Sequence, residues 1–476
     1  RQILMGIYTD LQEKAKTDPD GVIHDCAALL NKNHEDSLAL FLLGQIYAEA
    51  EHFGMAYTMF DRITRLRPDK AEAWNNLGMS CEGRKDHQES MKHFRRAWSI
   101  EKRATYASNI GNAFLSRQDY NQATEWAEKA LTIDKECKSA KAVLAIASLS
   151  LGNWARGWDN YDATLGGKFR KETQYQDEER WDGTPGKSLI VYGEQGLGDE
   201  IMYASCIPDV SKDNQVVLEC DKRLEGLFRR SFPHISVYGT RRDPADWLGN
   251  HKFDARVSCG TLPKFYRRKN EDFPGTPYLV ADPERVTQWK ALFGDKKPNI
   301  GLCWSGGSKH NKPQARAIGL EAFRPLIEST YANFYSLQYK DPTDEIAQTG
   351  LPVKHYKRAC ESLDYDDTAG FVGALDLVIG VHTTAHHLAG ALGIPGIILV
   401  PDQTLWLYEN GFPWYTSATL FKKRQSEGWQ GTVNRLLKDD LWEKSYGCLP
   451  GSTNAKPLVI MPFVSQLLNE PLSLSA

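Results

Sequence analysis

None of the 9 cysteines, scattered from Cys26 to Cys448, forms a C-x-x-C pair. That spacing speaks against a cysteine zinc site and against a disulfide framework, so the thiols read as free and the expected compartment is a reducing cytoplasm. No run of about 18 uninterrupted apolar residues occurs, and no membrane-spanning helix is expected. The opening RQILMGIYTDLQEK has neither a signal-peptide profile nor an initiator methionine, so the true N-terminus is expected to lie upstream. A net charge of −3 over 476 residues supplies no bulk attraction to nucleic acid or anionic membrane. The dinucleotide fingerprint is missing as well. The first predicted strand runs into GEQGLGD rather than G-x-G-x-x-G, and no acidic residue is expected to end the second strand where a ribose would need it. Nor does an Asp-x-Asp pair stand at a predicted strand end, so no metal site is expected.

What is present begins with a repeat. Gly44, Gly78, Gly111 and Ala145 recur at intervals of 34, 33 and 34 residues, each behind a large apolar residue (Leu43, Leu77, Ile110, Leu144). Twelve positions after each stands Ala56, Ser90, Ala123 or Gly157. Small residues at those points let two antiparallel helices approach, and stacked pairs bury one continuous core. The period and positions resemble tetratricopeptide repeats over roughly 36–167. The apolar residues before 36 are expected to supply a capping helix pair.

A charged stretch, KFRKETQYQDEERWDGTPGK, follows and reads as a linker onto the next domain. From Ser188 the texture changes. SLIVYG, QVVLEC, HISVYG and FDARVSCG alternate with helix-length segments; after Pro298 come NIGLCWS, NFYSLQY, LDLVIGV and GIPGIILVP. Strands alternating with helices predict parallel sheets covered on both faces.

The segments IVYGEQGLGDEIMYAS, IGLCWSGGSKH, NFYSLQYKDP and DTAGFVGALDLVIGVHTTAHHLAGALGIPGIILV, in that order, resemble glycosyltransferases of the two-domain GT-B fold. They are most similar to heptosyltransferase-like enzymes that carry tetratricopeptide repeats. The expected fold class is α + α/β: a repeat superhelix over 1–167, a linker over 168–187, then two Rossmann-like domains and a tail over 438–476. The resemblance implies that 188–297 carries the acceptor side and the catalytic base, and that 298–437 carries the nucleotide-sugar donor site.

By that resemblance Asp199 of GLGD is the base, with Gly196 and Gly198 in an acceptor-side loop. On spacing alone Asp199 could equally be a helix N-cap. The stretch IGVHTTAHHLAGALG poses a similar choice. His382 and His386 are four apart, a spacing that suits a metal, but Thr383 stands where a zincin has glutamate. His382, Thr383 and Thr384 are expected at a strand's carboxyl end and a helix N-terminus, where unpaired N–H groups favour a phosphate. His387 is expected to pack between helix and sheet.

Heptosyltransferase relatives carry aspartate at the position of His382. The His-Thr-Thr triplet instead resembles O-GlcNAc transferases, and it implies a nucleotide-diphosphate sugar, a UDP-sugar being the leading choice, as substrate with no cofactor. Ser305, Gly306 and Gly307 of the glycine-rich loop, Arg316 behind it, and Gln338 and Lys340 of LQYKDP complete the expected donor contacts. The alternative for the basic loop is an ordinary solvated surface.

The function expected is therefore an inverting, metal-independent glycosyltransferase acting on a hydroxyl of a macromolecule, a polypeptide first, presented by the repeats. Its rival is an inactive repeat-based scaffold that binds a nucleotide or nucleotide sugar. Self-association through the repeats competes with acceptor binding, and nucleic acid ranks below both.

Overall fold

The computed structural model describes residues 2–167, 170, 175, 177–241, 243–306, 317–361, 363–402, 406–409 and 411–447, with side chains from Tyr8 onward. The chain divides into two compact units, Arg1–Thr164 and Leu165–Ala476.

The first unit is helical. Helices α1 (Gln2–Ala15) and α2 (Pro19–Lys32) precede four antiparallel pairs. These are α3 (Ser37–Glu49) with α4 (Phe53–Leu66), and α5 (Ala71–Gly83) with α6 (His87–Ile100). Then come α7 (Ala104–Ser116) with α8 (Tyr120–Ile133), and α9 (Lys138–Ser150) with α10 (Trp154–Tyr161). Aspartates 36, 86 and 119 start their helices by accepting from backbone N–H groups, the role for which short polar residues are favoured. The spacing in the sequence has a steric cause. A methyl group added at Gly44 would lie 2.7 Å from the Phe60 ring, and one at Gly78 2.6 Å from the Phe94 ring. Each phenylalanine comes from the second helix of the same pair. Ala56, Ser90 and Ala123 are wholly buried at the same crossings.

The second unit holds two parallel sheets. The first is built from β1 (Ser188–Tyr192), α11 (Leu197–Tyr203), α12 (Ile207–Asp213), β2 (Gln215–Glu219) and α13 (Glu225–Ser231). β3 (Ser236–Tyr238), β4 (Ala255–Ser258) and α14 (Pro263–Tyr266) follow. Its strand order is β3-β2-β1-β4. After α15 (Pro283–Phe293) the second sheet begins with β5 (Asn299–Cys303), α16 (Arg324–Ser329), β6 (Asn333–Ser336), α17 (Thr343–Thr349) and β7 (Val353–Lys354). It continues through α18 (Lys357–Cys360), α19 (Tyr365–Gly373), β8 (Leu377–Val381), α20 (Thr384–Leu392), β9 (Gly396–Val400) and β10 (Ala418–Lys422). Helices α21 (Trp429–Leu436) and α22 (Asp440–Gly447) close the described chain. The order is β10-β9-β8-β5-β6-β7. Every pairing is parallel, and β5, β8 and β9 are buried along their whole length, which is why they read as unbroken apolar runs.

Two local expectations need correcting. The stretch 168–187 is more than a polar connector. Residues 179–181 run beside β4 through Trp181 N–H to Arg256 O at 2.9 Å and Arg256 N–H to Glu179 O at 2.8 Å. Arg170 is buried at 1% exposure, its Nε 3.1 Å from Glu194 Oε1 and its Nη2 within reach of the Ser258 and Thr261 hydroxyls at 3.0 and 3.2 Å. An arginine can be buried this way only because each charge has a partner. The second correction concerns β2, which does end on an acidic residue, Glu219. Its carboxyl accepts from Thr240 Oγ1 at 3.0 Å and is buried, so it is committed inside the protein and absent from the cavity described below.

Arg170→Met in the full chain strands the Glu194 charge, and the urea transition of the α/β unit should lose about 3–5 kcal/mol. Arg170→Met with Glu194→Gln should recover most of that loss. The transition of the repeat helices should stay in place in both variants. Equal stability of wild type and the single variant would mean that Arg170 is not an anchor.

Candidate functional site

The carboxyl ends of the strands in both sheets of the second unit border one cavity of about 670 Å³. In parallel α/β sheets this is where side chains on strand-to-helix turns converge. From the first sheet come Gly196, Gly198 and Asp199, on the turn between β1 and α11. From the second come Ser305 and Gly306 after β5, Gln338 after β6, and His382, Thr383 and Thr384 after β8. These nine are expected site residues, and the fold brings them together. Gly307 and Arg316, with Lys309 and Lys312, lie outside the described residues. Lys340 does not join the cavity wall: it is exposed, its Nζ 5.7 Å from the ring of Tyr339. At the end of β6 the chain buries Gln338 and turns the next two residues out to solvent.

Asp199 is half-buried, in the first turn of α11, and its Oδ2 accepts the Gly196 N–H at 3.0 Å. The N-cap alternative is therefore displaced by a related one: the carboxylate reaches back from the third helical residue to the N-cap backbone. Loss of hydration pushes its pKa up to about 6; the Gly196 bond opposes this, the nearby Glu194 carboxylate adds to it, and Arg241 and Arg170 pull it down. A carboxylate balanced near neutrality can both accept and release a proton.

Opposite lies the start of α20. Thr383 is its N-cap residue, extended at φ −139°, ψ 174°, and its side chain makes no capping hydrogen bond. The first-turn N–H groups are thus left without the usual side-chain partner, and the positive end of the helix dipole points the same way. Approach of the two helices depends on Gly198. A methyl group there would lie 3.1 Å from His387 Cδ2 and 3.3 Å from Thr384 Oγ1. The Gln338 carboxamide lies 2.7 Å from the Ser305 hydroxyl and fixes the floor between them.

The three histidines separate into different roles. His386 is buried between Cys303 Sγ at 3.5 Å and Ile397 O at 3.3 Å, and burial lowers its pKa to about 4. His387 sits between the Tyr415 and Tyr408 hydroxyls, each at 3.2 Å, and burial followed by the charge of His386 lowers its pKa to about 3. Both are neutral packing groups at physiological pH. His382 is buried with its ring 4.5 Å from that of Tyr408 on the cavity wall. Among the described residues the group spaced to hold a metal ion is Asp341, His355 and Glu361, and it includes none of these histidines. The triplet Asp364-Tyr365-Asp366 stands at the start of α19 rather than at a strand end. Asp364 caps that helix and pairs with Arg285, and Asp366 pairs with Arg230.

Sequence reading missed Arg223, Tyr365 and Tyr408 on the cavity wall. Arg223 was detectable in principle, since it follows β2 closely at the same carboxyl edge that drew attention to Asp199.

Comparison with known proteins bears on the repeats by family and on most of the chain by one relative. The tetratricopeptide repeat family matches at residues 71–103 and again at 103–133. Over 435 residues the chain is 28% identical to protein FlbA of Caulobacter vibrioides, covering 86% of this chain and 68% of that one. Among solved structures, MamA is similar at 20% identity over 32% of this chain and 90% of its own, with a TM-score of 0.29. YrrB, described as a TPR protein with an unusual peptide-binding site, is similar at 13% identity over 29% and 72%, with a TM-score of 0.26. No helix among the described residues is long and apolar enough to cross a membrane. The N-terminal region of the chain thus carries tetratricopeptide repeats, followed by an α/β region of parallel sheets.

Proposed function

We propose that the second unit is a glycosyltransferase of the GT-B type, inverting and metal-independent, moving a sugar from a nucleotide-diphosphate sugar to a hydroxyl. One observation carries the reading. A carboxylate with its proton affinity raised to about pH 6 shares a cavity with an uncapped helix N-terminus that suits a phosphate. Asp199 takes the proton of the acceptor hydroxyl, whose oxygen attacks the anomeric carbon from the face opposite the leaving group. The nucleoside diphosphate leaves with the bonding pair, stabilised by the N–H groups at the start of α20, the Thr383 and Thr384 hydroxyls, and the Ser305–Gly306 turn. His382, held against Tyr408, borders the same place. The repeats present the acceptor, a polypeptide being the class that concave helical arrays fit best.

Asp199→Asn should keep nucleotide-diphosphate affinity and lose about 10²–10⁴-fold in turnover. In wild type, the rate should rise with pH through about 6 as Asp199 gives up its proton, and the asparagine variant should lack that limb. Wild-type turnover by the variant would remove Asp199 as the base. The metal-free mechanism predicts that turnover survives chelation; loss of rate restored by Mg²⁺ or Mn²⁺ would overturn it. Deleting the repeats up to Thr164, in a fragment whose thermal unfolding remains cooperative, should leave nucleotide binding intact and abolish transfer to the natural acceptor. Full transfer by that fragment would refute the delivery role.

A further inference from the structure

One charged group on the cavity wall has no part in the chemistry above. Arg223 follows β2, and its guanidinium is held by a fork: Nε donates to Asp221 Oδ1 at 2.8 Å and Nη2 to Asp221 Oδ2 at 3.0 Å. Asp221 is itself fixed, its backbone N–H donating to Glu200 Oε2 at 2.8 Å. A two-point fork uses one edge of the planar guanidinium and locks its orientation. Nη1 lies off that edge and makes no hydrogen bond to any described residue. Tyr365, on the wall supplied by the second sheet, has a hydroxyl likewise without a hydrogen bond among the described residues, and the Arg223 charge acts directly on it. The acidic group on this part of the wall, Glu361, is already engaged by His355 at 2.7 Å.

The pair comes from segments other than the start of α20. In the first sheet, Asp199 follows β1 and Arg223 follows the neighbouring β2. In the second, Thr383 follows β8, while Tyr365 opens α19, the helix that precedes β8. All of these line one cavity, so an anion held between Arg223 and Tyr365 shares it with the base.

We infer that Arg223 and the Tyr365 hydroxyl form a second anion subsite, which takes a carboxylate or phosphate group on the molecule that brings the hydroxyl to Asp199. The inference rests on the base-and-donor reading only for which ligand carries that group. Because the pair shares its cavity with Asp199, the subsite selects acceptors that carry an acidic substituent besides the reacting hydroxyl.

The test is isothermal titration on the full chain, with UDP, inorganic phosphate and acetate as probes. Protein saturated with UDP should still bind phosphate or acetate, and the tighter of the two identifies the group recognised. Arg223→Gln should weaken that second binding by about tenfold or more and Tyr365→Phe by about threefold, with UDP affinity unchanged. Tyr365→Phe leaves the Asp221 fork intact, so it decides the matter if Arg223→Gln fails to fold. Unchanged small-anion binding in Tyr365→Phe and in folded Arg223→Gln would overturn the subsite. So would a loss of UDP affinity in place of anion affinity, which would put Arg223 on the donor diphosphate. If wild type binds neither UDP nor any other nucleoside diphosphate, the donor reading falls, while the anion titration still decides Arg223 on its own.

Discussion

The α/β unit turns on a contact that leaves no room for a side chain. Gly198 lies in the first turn of α11, and even a methyl group there would press on Thr384 and His387 at the start of α20. Because that space is empty, the N-terminal turns of two helices from two different sheets approach each other. Asp199, the next residue, is thereby carried to within the same cavity as the start of α20, whose N-cap side chain makes no capping hydrogen bond. A proton acceptor and an anion-favouring helix end thus become neighbours through backbone placement, before any side chain is chosen.

The surrounding packing serves that contact. His387 fills the space behind α20 by bonding two tyrosines, and His386 closes the gap between Cys303 and β9. Both are desolvated to the point of staying neutral, so they add no positive charge to compete with the helix dipole. Three histidines in six positions look like a ligand set in one dimension; in three, His386 packs between α20 and the sheet, while His387, expected there too, lies instead between α20, Tyr408, Tyr415 and Gly198 of α11.

How much of this was legible follows from which interactions are local. The eight strands read from the sequence all form, because parallel strands buried on both faces must be apolar throughout. The two that escaped notice are β7, only Val353–Lys354, and β10, an edge strand that is partly exposed and ends on lysine. The repeat spacing was visible because small residues mark close crossings: Gly44 meets the Phe60 ring, Gly78 the Phe94 ring, and Gly111 Val143 and the backbone of α8. Asp199 and the Thr383–Thr384 turn were legible as strand-end motifs. Lys340 was misplaced because a one-residue turn after β6 decides between cavity and solvent, and no pattern in LQYKDP fixes that turn. Arg170 reads as one charge among many in a polar stretch. Only the fold supplies its partner, Glu194, on the loop that leads to Asp199.

That pairing gives the cleft its electrostatic logic. Glu194 raises the proton affinity of Asp199 and Arg170 lowers it, while Arg241, paired with Glu200, lowers it further. Each cation near the base is neutralised by its own carboxylate, so the local field is a balance of pairs rather than a net charge. Fixed pairs of this kind need no reorganisation when a proton moves; the rise in the Asp199 pKa comes chiefly from lost hydration, which the pairs only trim. At the start of α20 no carboxylate stands in the first helical turn to cancel the dipole. The proposed division of proton transfer and anion binding thus follows two helix ends, one carrying Asp199 and Glu200 in its first turn and the other carrying no acid.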